Sequence, residues 1–244
     1  MRVNGVVARR GDLAIGVDDR VELVARPAPS IPAPLRLVHE DEHLVVVDKP
    51  PGLLTIATET ERERTVYRLL RDWLDARGEG RVFVVHRLDR ETSGLLVFAK
   101  TAAVKETLQA QFEARTPERL YVARVEGIVR ADEGTLIWDV AEDASLRVRV
   151  ARGGRGKEAI TRYRVLARYR AATLLELALV TGRRGQIRAQ LAALGHPIVG
   201  DRAHGSRHDP LQRVCLHATR LGFVHPLGDR VRFESLPPQG FRRP

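Results

Sequence analysis

The sequence is poor in several residue types that other classes of protein depend on. It holds one cysteine in 244 residues, so an internal disulfide is impossible and a cysteine-based zinc site is excluded. No apolar run approaches the length of about 18 residues that a membrane-spanning helix needs. The opening residues, MRVNGVVARRGD, lack the apolar centre of a secretory signal. We therefore expect a cytosolic globular protein with no membrane partner.

Lysine is also scarce, although the chain is strongly basic. Lysine stands at positions 49, 100, 105 and 157, which leaves 37 of the 41 basic residues as arginine, and the net charge is +10. Arginine forms two-point hydrogen bonds with phosphate and stacks on bases. A codon bias toward arginine explains the ratio equally well, but it does not explain the excess positive charge, which attracts polyanions. The charge therefore favours nucleic acid as the partner.

Proline and glycine divide the chain into two parts. Residues 1–29 are predicted to form a small N-terminal appendage and linker, because short apolar runs there lead into PAPSIPAP at 27–34. Residues 30–244 form the main domain. Helices are predicted around 66–74, after the capping residue Thr101, and at 183–195, where Gly195 ends the helix.

Strands predominate from residue 120 onward, and the chain is predicted to finish in three short ones, VCLHA, LGFVH and VRFES. Few strands alternate regularly with helices. We predict an α+β fold: a central mixed, largely antiparallel sheet with flanking helices and an active cleft across its middle.

A polar loop, HRLDRETSG at 86–94, lies between two apolar strand candidates, a position where a rigid scaffold presents reactive groups. Asp89 stands between Arg87 and Arg90. A nearby guanidinium keeps a carboxylate ionised, as a nucleophile requires. The alternative is that Asp89 caps a turn through Thr92 and Ser93, and these residues alone leave both interpretations open.

The longer segment HRLDRETSGLLVFAK resembles the signature of the RluA-type family of RNA pseudouridine synthases. Further segments resemble that family in the same order: LVVVDKPPGLL at 44–54, ERLYVARVEG at 118–127, GKEAITRYRVL at 156–166, LVTGRRGQIRAQLAALGHPIVGD at 179–201 and LHATRLGFVHP at 216–226. Together they extend over residues 36–240, nearly the whole main domain.

The resemblance implies an enzyme that breaks the bond between uracil N1 and ribose, rotates the base and rejoins it through carbon 5, with no metal, redox or nucleotide cofactor. Asp89 matches the catalytic carboxylate of the family. Tyr121 matches a tyrosine that packs on the target base with its hydroxyl near carbon 5, and Arg188 matches the arginine that pairs with the aspartate. Each has a plain alternative, since Tyr121 could simply fill a strand face and Arg188 could be a surface arginine.

The implied substrate is structured RNA, ribosomal or transfer, from which the target uridine must be flipped out. Arg87 resembles the family arginine that fills the vacated space. Leu191 would give apolar cover to the base pocket, although core packing accounts for it equally well. Phosphate contacts are predicted from basic residues near the motifs: Arg90, Lys100, Arg183 and Arg184. A monomer is the default expectation.

The chain departs from the family pattern at a few positions. Gly185 and Gln190 replace common histidines, His204 replaces a common tyrosine, and Arg119 replaces a common lysine. Residues 2–26 resemble the second half of a small RNA-binding module found in ribosomal proteins.

Two other signals are set aside. The glycine-rich ARGGRGKEA at 151–159 lacks the residues of a phosphate-binding loop. Asp201, His204 and His208 could be drawn as a metal site, but the intervening Gly205 and Ser206 favour a solvated loop.

Two rival functions remain from other classes. A non-catalytic RNA-binding or ribosome-assembly factor could have kept the fold, although it would not need Asp89, Tyr121 and Arg188 together. An RNA hydrolase is disfavoured because the motifs offer no clustered carboxylates for metal ions.

Overall fold

The computed structural model of the protein describes residues 2–7, 14–22, 30–143, 147–151 and 156–242. The chain divides into two units, Met1–Ser30 and Ile31–Pro244. The first unit contains a small antiparallel sheet of β1 (Arg2–Val3), β2 (Val6–Val7) and β3 (Val21–Glu22), in the order β2-β1-β3. Residues 27–29 of the predicted linker and residues 152–155 of the glycine-rich segment lie outside the described residues. RNA binding by the first unit stays a prediction.

The second unit is built on one large sheet. Its strands are β4 (Arg36–Glu40), β5 (Leu44–Lys49), β6 (Phe83–Val84), β7 (Ser93–Ala99), β8 (Glu118–Glu126), β9 (Glu133–Glu142), β10 (Val148–Val150), β11 (Lys157–Arg168), β12 (Ala172–Leu179), β13 (Leu216–Val224) and β14 (Arg230–Glu234). The order is β10-β9-β11-β12-β8-β13-β7-β5-β4, with β14 paired to β13 and β6 paired to β7. Among the described strands, every pairing is antiparallel except that of β7 with β13. The predicted α+β fold is confirmed.

Three α-helices accompany the sheet: α1 (Val66–Asp75), α2 (Ala102–Glu113) and α3 (Gln186–Ala193), with short 3₁₀ turns at Arg202–His204 and Gln239–Arg242. The hydroxyl of Thr101 accepts a hydrogen bond from the Val104 amide, so the predicted cap is confirmed. Helix α3 begins three residues later than predicted, because Gly185 takes a left-handed φ of +59°. No helix in the described part of the chain is long and apolar enough to cross a membrane.

Helices cover both faces of the sheet at β5 and β7. Alternate residues of these strands belong to two separate cores. One core includes Val45, Val47, Leu96 and Phe98 together with Leu70 and Leu74 of α1. The other includes Leu44, Val46, Leu95 and Val97 together with Val104 and Leu108 of α2. Burial on both faces explains why these strands are continuous apolar runs, and it makes β7 a rigid support for the loop before it.

The C-terminal strand prediction was wrong in one respect. VCLHA and LGFVH lie largely in one continuous strand, β13, rather than in two. Its register shifts between Ala218 and Arg220 at a bulge, which reverses the side of the sheet that the apolar residues face. Leu216 and Ala218 therefore enter the first core, whereas Leu221 and Phe223 enter the second. In the sequence, this change in the alternation of apolar residues resembles a boundary between two strands.

Candidate active site

The loop that carries Asp89 enters the sheet where β7 lies beside β13, and buried polar groups hold it in place. The Lys49 ammonium is fully buried and donates to three carbonyl oxygens, of Pro50, Leu53 and Arg90, at 2.9, 2.8 and 3.0 Å. The Thr55 hydroxyl donates to the Leu88 carbonyl at 2.9 Å. Carbonyls on both sides of Asp89 are thus fixed, so its backbone has little freedom.

A cleft of about 1060 Å³ opens in front of this loop. Asp89, Tyr121 and Arg188 all line it, although they come from the loop before β7, from β8 and from α3. The structure therefore brings together the three residues predicted to carry the chemistry. The apolar side chains of Ile187 and Leu216 line the same cleft.

Arg188 is held by a second carboxylate. Its Nε and Nη2 donate to the two oxygens of Asp201 at 2.6 and 2.7 Å, and its Nη1 lies 3.9 Å from Oδ2 of Asp89. The carboxylate of Asp89 keeps a quarter of its surface exposed, whereas that of Asp201 is almost completely buried. Asp201 thus fixes the guanidinium, and Asp89 remains accessible from the cleft.

The expectation that Asp201 lies in a solvated loop was wrong, because this carboxylate is buried against Arg188. The charge of Arg188 and the hydrogen bonds that it donates outweigh burial, and the pKa of Asp201 falls to about 2. His204 also contacts Asp201, with Nδ1 3.1 Å from Oδ1. The described residues contain no cluster of potential metal ligands. No local sequence pattern marks Asp201 as the partner of Arg188.

Tyr121 lies on β8 between Leu177 of β12 and Ala218 of β13. It is buried in the first core but also lines the cleft. Burial raises the pKa of the Tyr121 phenol to about 12; the charge of Arg119 lowers it and that of Asp89 raises it. The phenol of Tyr121 is therefore neutral near pH 7.

A family model described as RNA pseudouridylate synthase matches residues 43–193. An uncharacterised RNA pseudouridine synthase of Bacillus subtilis is 35% identical over 240 residues, which cover 96% of this chain and 78% of the relative. Ribosomal large subunit pseudouridine synthase D of Zymomonas mobilis is 37% identical over 233 residues, covering 88% of this chain and 73% of the relative.

The chain belongs to the RNA pseudouridylate synthase family. The family resemblance read from the motifs is confirmed, and the protein is an RNA pseudouridine synthase, an isomerase. A solved structure of human RNA pseudouridylate synthase domain containing 1 superposes with a TM-score of 0.71 at 25% identity, over 88% of this chain and 87% of that one.

Basic side chains dominate the cleft of this pseudouridine synthase. Those that line it are Arg81, Arg87, Lys105, Arg115, Arg119, Arg183, Arg184 and Arg188, against the carboxylates of Asp89 and Glu113. Arg87, Arg183 and Arg184 are exposed there, as a contact with RNA requires. The electrostatics of the cleft thus suit a polyanion.

Three residues predicted to bind substrate do not line the cleft. Lys100 is almost buried and donates to Glu40 and Glu79 at 2.7 and 2.9 Å. Leu191 is completely buried in the first core, which favours the packing alternative. The exposed Arg90 makes a hydrogen bond to the Gly52 carbonyl and lies outside the lining.

Two departures from the family pattern, Gln190 and Gly185, serve packing. Gln190 is fully buried; it accepts a hydrogen bond from the Thr161 hydroxyl at 2.6 Å and donates to the Ala159 carbonyl at 2.9 Å. Gly185 begins α3, and a Cβ there would meet Val148 at 3.1 Å. An imidazole at either position would need different neighbours.

Proposed function

We propose that this synthase converts specific uridines of large-subunit ribosomal RNA to pseudouridine, with Asp89 as the essential carboxylate. Relatives named ribosomal large subunit pseudouridine synthase D support this choice of RNA over transfer RNA: that of Zymomonas mobilis is 37% identical and that of Pseudomonas aeruginosa 36%. The observation that carries the role of Asp89 is its accessible carboxylate in a basic cleft, with the fixed guanidinium of Arg188 at 3.9 Å.

The reaction must cleave the bond between N1 of uracil and the ribose, rotate the base, and form a bond from carbon 5. The carboxylate of Asp89 acts by adding to the sugar carbon or by assisting departure of the base. Both routes require it to be ionised when the substrate arrives. Arg188 places a positive charge 3.9 Å from this carboxylate, and Asp201 prevents that guanidinium from collapsing fully onto Asp89.

Tyr121 is proposed to complete the reaction. After carbon 5 has joined the sugar it still carries its hydrogen, and the proton must leave to restore the uracil ring. The phenol stands in the same cleft as Asp89, and its ionised form, the phenolate, acts as the base at this step. Ile187 and Leu216, which also line the cleft, would provide the apolar cover that was expected of Leu191.

A uridine inside folded RNA reaches this cleft only by leaving its stack, at a cost of a few kcal/mol. The exposed Arg87, two residues before Asp89, is proposed to fill the vacated space. Arg183 and Arg184, also exposed on the rim, are proposed to contact the flanking phosphates.

The test is mapping of pseudouridine at nucleotide resolution in total RNA from cells that lack the gene. The cells are complemented with the wild-type chain, with Asp89→Asn, or with Glu91→Gln, which removes a neighbouring carboxylate from the same loop. We expect loss of one or a few sites in large-subunit ribosomal RNA, restored by wild type and Glu91→Gln but not by Asp89→Asn. Restoration by Asp89→Asn would overturn the role of Asp89, and lost sites confined to transfer RNA would overturn the proposed substrate.

A further inference from the structure

A second arginine, Arg119, lies near the residues proposed to carry out the reaction, and it has no role in the steps proposed above. Arg119 lies two residues before Tyr121 on β8, and residues two apart on a strand project from the same face of the sheet. Both side chains line the cleft. The cation is thus placed on the side of β8 from which Tyr121 meets the substrate.

The guanidinium of Arg119 has few partners. Its Nη2 donates to the carbonyls of Leu179 and Val180 at 3.5 and 3.3 Å, long distances for such bonds. Its Nε is buried without a hydrogen-bond partner. In the part of the chain that the structure describes, no carboxylate lies within ion-pair distance of it. The charge of Arg119 is therefore poorly compensated.

The residues around Arg119 leave its charge poorly compensated. The guanidinium carbon lies 5.7 Å from the centre of the Phe112 ring, and that ring stacks on His86 at 4.6 Å. Burial and the charge of Arg119 lower the pKa of His86 to about 3, so the imidazole is neutral. At Gly182 a Cβ would lie 2.5 Å from Nη1 of Arg119, and the absent side chain makes room for the guanidinium.

This geometry is unlike that of a phosphate-binding arginine, which presents its donors to solvent. Nε of Arg119 is closed off and Nη2 turns toward backbone carbonyls. Such a guanidinium acts on its surroundings mainly through its positive charge, because a partly desolvated environment screens that charge weakly. The two charged groups that act on the Tyr121 phenol are Arg119, which favours the phenolate, and Asp89, which opposes it. The strand neighbours on either side, Leu177 and Ala218, are apolar.

We propose that Arg119 is a positioning residue for the final proton transfer: its uncompensated charge stabilises the phenolate of Tyr121. In that step the C5–H bond breaks and its proton passes to the phenolate oxygen; the C5–H electron pair forms the C5=C6 double bond, and the electron pair of the C6=N1 bond moves to N1, which takes a proton from water. This inference rests on the proposed role of Tyr121. It assigns to Arg119 an action on Tyr121 rather than a contact with RNA.

The first test needs no RNA. Protein labelled with fluorotyrosine, whose phenol is more acidic than that of tyrosine, is titrated by fluorine NMR, and the Tyr121 signal is identified by its loss in Tyr121→Phe. We expect Arg119→Met to raise the pKa of that signal by roughly one unit or more, a tenfold change in the ionisation constant. Arg119→Lys, which retains the charge, should leave it near the wild-type value. An unchanged titration in Arg119→Met overturns the proposal.

The second test measures the step itself, with a transcript of large-subunit ribosomal RNA made with either ordinary or 5-deuterated uridine. At saturating RNA in single turnover, we expect Arg119→Met to be slower by roughly 10- to 100-fold, with a larger deuterium isotope effect than wild type. Because the pKa of Tyr121 is already about 12 in wild type, both rates should rise with pH, and that of Arg119→Met should stay lower throughout. Arg119→Lys should recover most of the rate, and Arg164→Met, which removes an arginine outside the cleft, should match wild type.

The outcomes separate this inference from the function on which it rests. A loss of affinity for RNA with an unchanged isotope effect would make Arg119 an RNA contact and overturn the proposal. A fall in melting temperature that Arg119→Lys shares would make its role structural. If wild type forms no pseudouridine in the transcript, the proposed substrate fails, whereas the fluorine titration still decides the effect of Arg119 on Tyr121.

Discussion

Arg188 and Asp201 form a two-point ion pair, with Nε 2.6 Å from Oδ2 and Nη2 2.7 Å from Oδ1. The remaining nitrogen, Nη1, lies 3.9 Å from Oδ2 of Asp89. The two carboxylates therefore contact Arg188 differently: the buried Asp201 orients the guanidinium through hydrogen bonds, whereas the accessible Asp89 interacts with its charge at a longer distance. This division leaves Asp89 without a direct hydrogen bond from Arg188 that the reaction would have to break.

The first prediction concerns the orienting carboxylate. Asp201→Asn keeps the shape of the side chain but removes the charge that fixes Arg188, so the guanidinium should turn toward Asp89 and engage it. We expect the rate of pseudouridine formation at saturating RNA to fall roughly tenfold or more, with RNA affinity nearly unchanged. Asp132→Asn, which alters an exposed carboxylate paired with Arg168, is the matched control. A normal rate in Asp201→Asn would show that Arg188 does not depend on this pair.

The same ion pair predicts how stability depends on acid. The pKa of Asp201 is lowered to about 2 in the folded protein from an ordinary value of 3.8. A carboxyl group with a lowered folded pKa stabilises the fold above its unfolded pKa, and that contribution is lost as pH falls through the folded pKa. Asp201 should therefore contribute on the order of 2 kcal/mol above about pH 4 and lose it between about pH 4 and 2.

Chemical unfolding of wild type and Asp201→Asn across this pH range checks the acid prediction. We expect the free energy of unfolding of wild type to fall more steeply between about pH 4 and 2 than that of Asp201→Asn, with Asp132→Asn behaving like wild type. Parallel curves for the three proteins would contradict the assignment of the low pKa to Asp201.

Much of the site could be predicted from sequence because its residues lie in contiguous motifs. The loop at 86–94 was recognisable from its polar residues between two apolar strands, and the family resemblance identified Asp89, Tyr121 and Arg188 as candidates. The structure brings these three together in one cleft. Helices α1 and α2 were predictable as well, because their apolar spacing and capping threonines are local properties.

What sequence missed depends on contacts between distant segments. Lys49 and the loop carbonyl of Arg90 are 41 residues apart, and nothing local marks that lysine as fully buried. Asp201 is followed by Gly205 and Ser206, which suggested a solvated loop, but its main partner comes from α3. Lys100 was predicted to contact phosphate, but in the structure its ammonium donates hydrogen bonds to Glu40 and Glu79. Charge and sequence spacing identify a candidate binding residue, whereas its tertiary contacts decide whether its side chain is free to bind RNA.

A third prediction concerns the parallel contact at the centre of the sheet. Gly94 has a φ of +113°, and a Cβ there would overlap the backbone of Ala218, with the amide nitrogen at 2.6 Å. Gly228 has a similar φ of +103° but open space around it, so it serves as the control. We expect Gly228→Ala to cost about 1–2 kcal/mol of unfolding free energy from backbone strain alone. Gly94→Ala should cost several times more, because β7 and β13 must also separate.

Thermal and chemical unfolding of the two alanine variants decides this comparison. If Gly94→Ala folds and loses no more stability than Gly228→Ala, then β7 and β13 do not pack as closely as described. A Gly94→Ala protein that folds poorly while Gly228→Ala folds well would agree with the close approach of the two backbones.

The last prediction tests the basic rim through its salt dependence. Arg183 is exposed, and its Nε donates to the Glu158 carbonyl at 3.1 Å, so no carboxylate neutralises it in the described part of the chain. Each phosphate contact adds roughly 0.7–0.9 to the slope of log K against log salt. Arg183→Gln should therefore reduce the slope for large-subunit ribosomal RNA by about that amount. Arg164→Gln, whose arginine is paired with Glu176 at 2.7 Å outside the cleft, should not change it. A lower affinity with an unchanged slope would mean that Arg183 contacts a base or sugar instead of a phosphate.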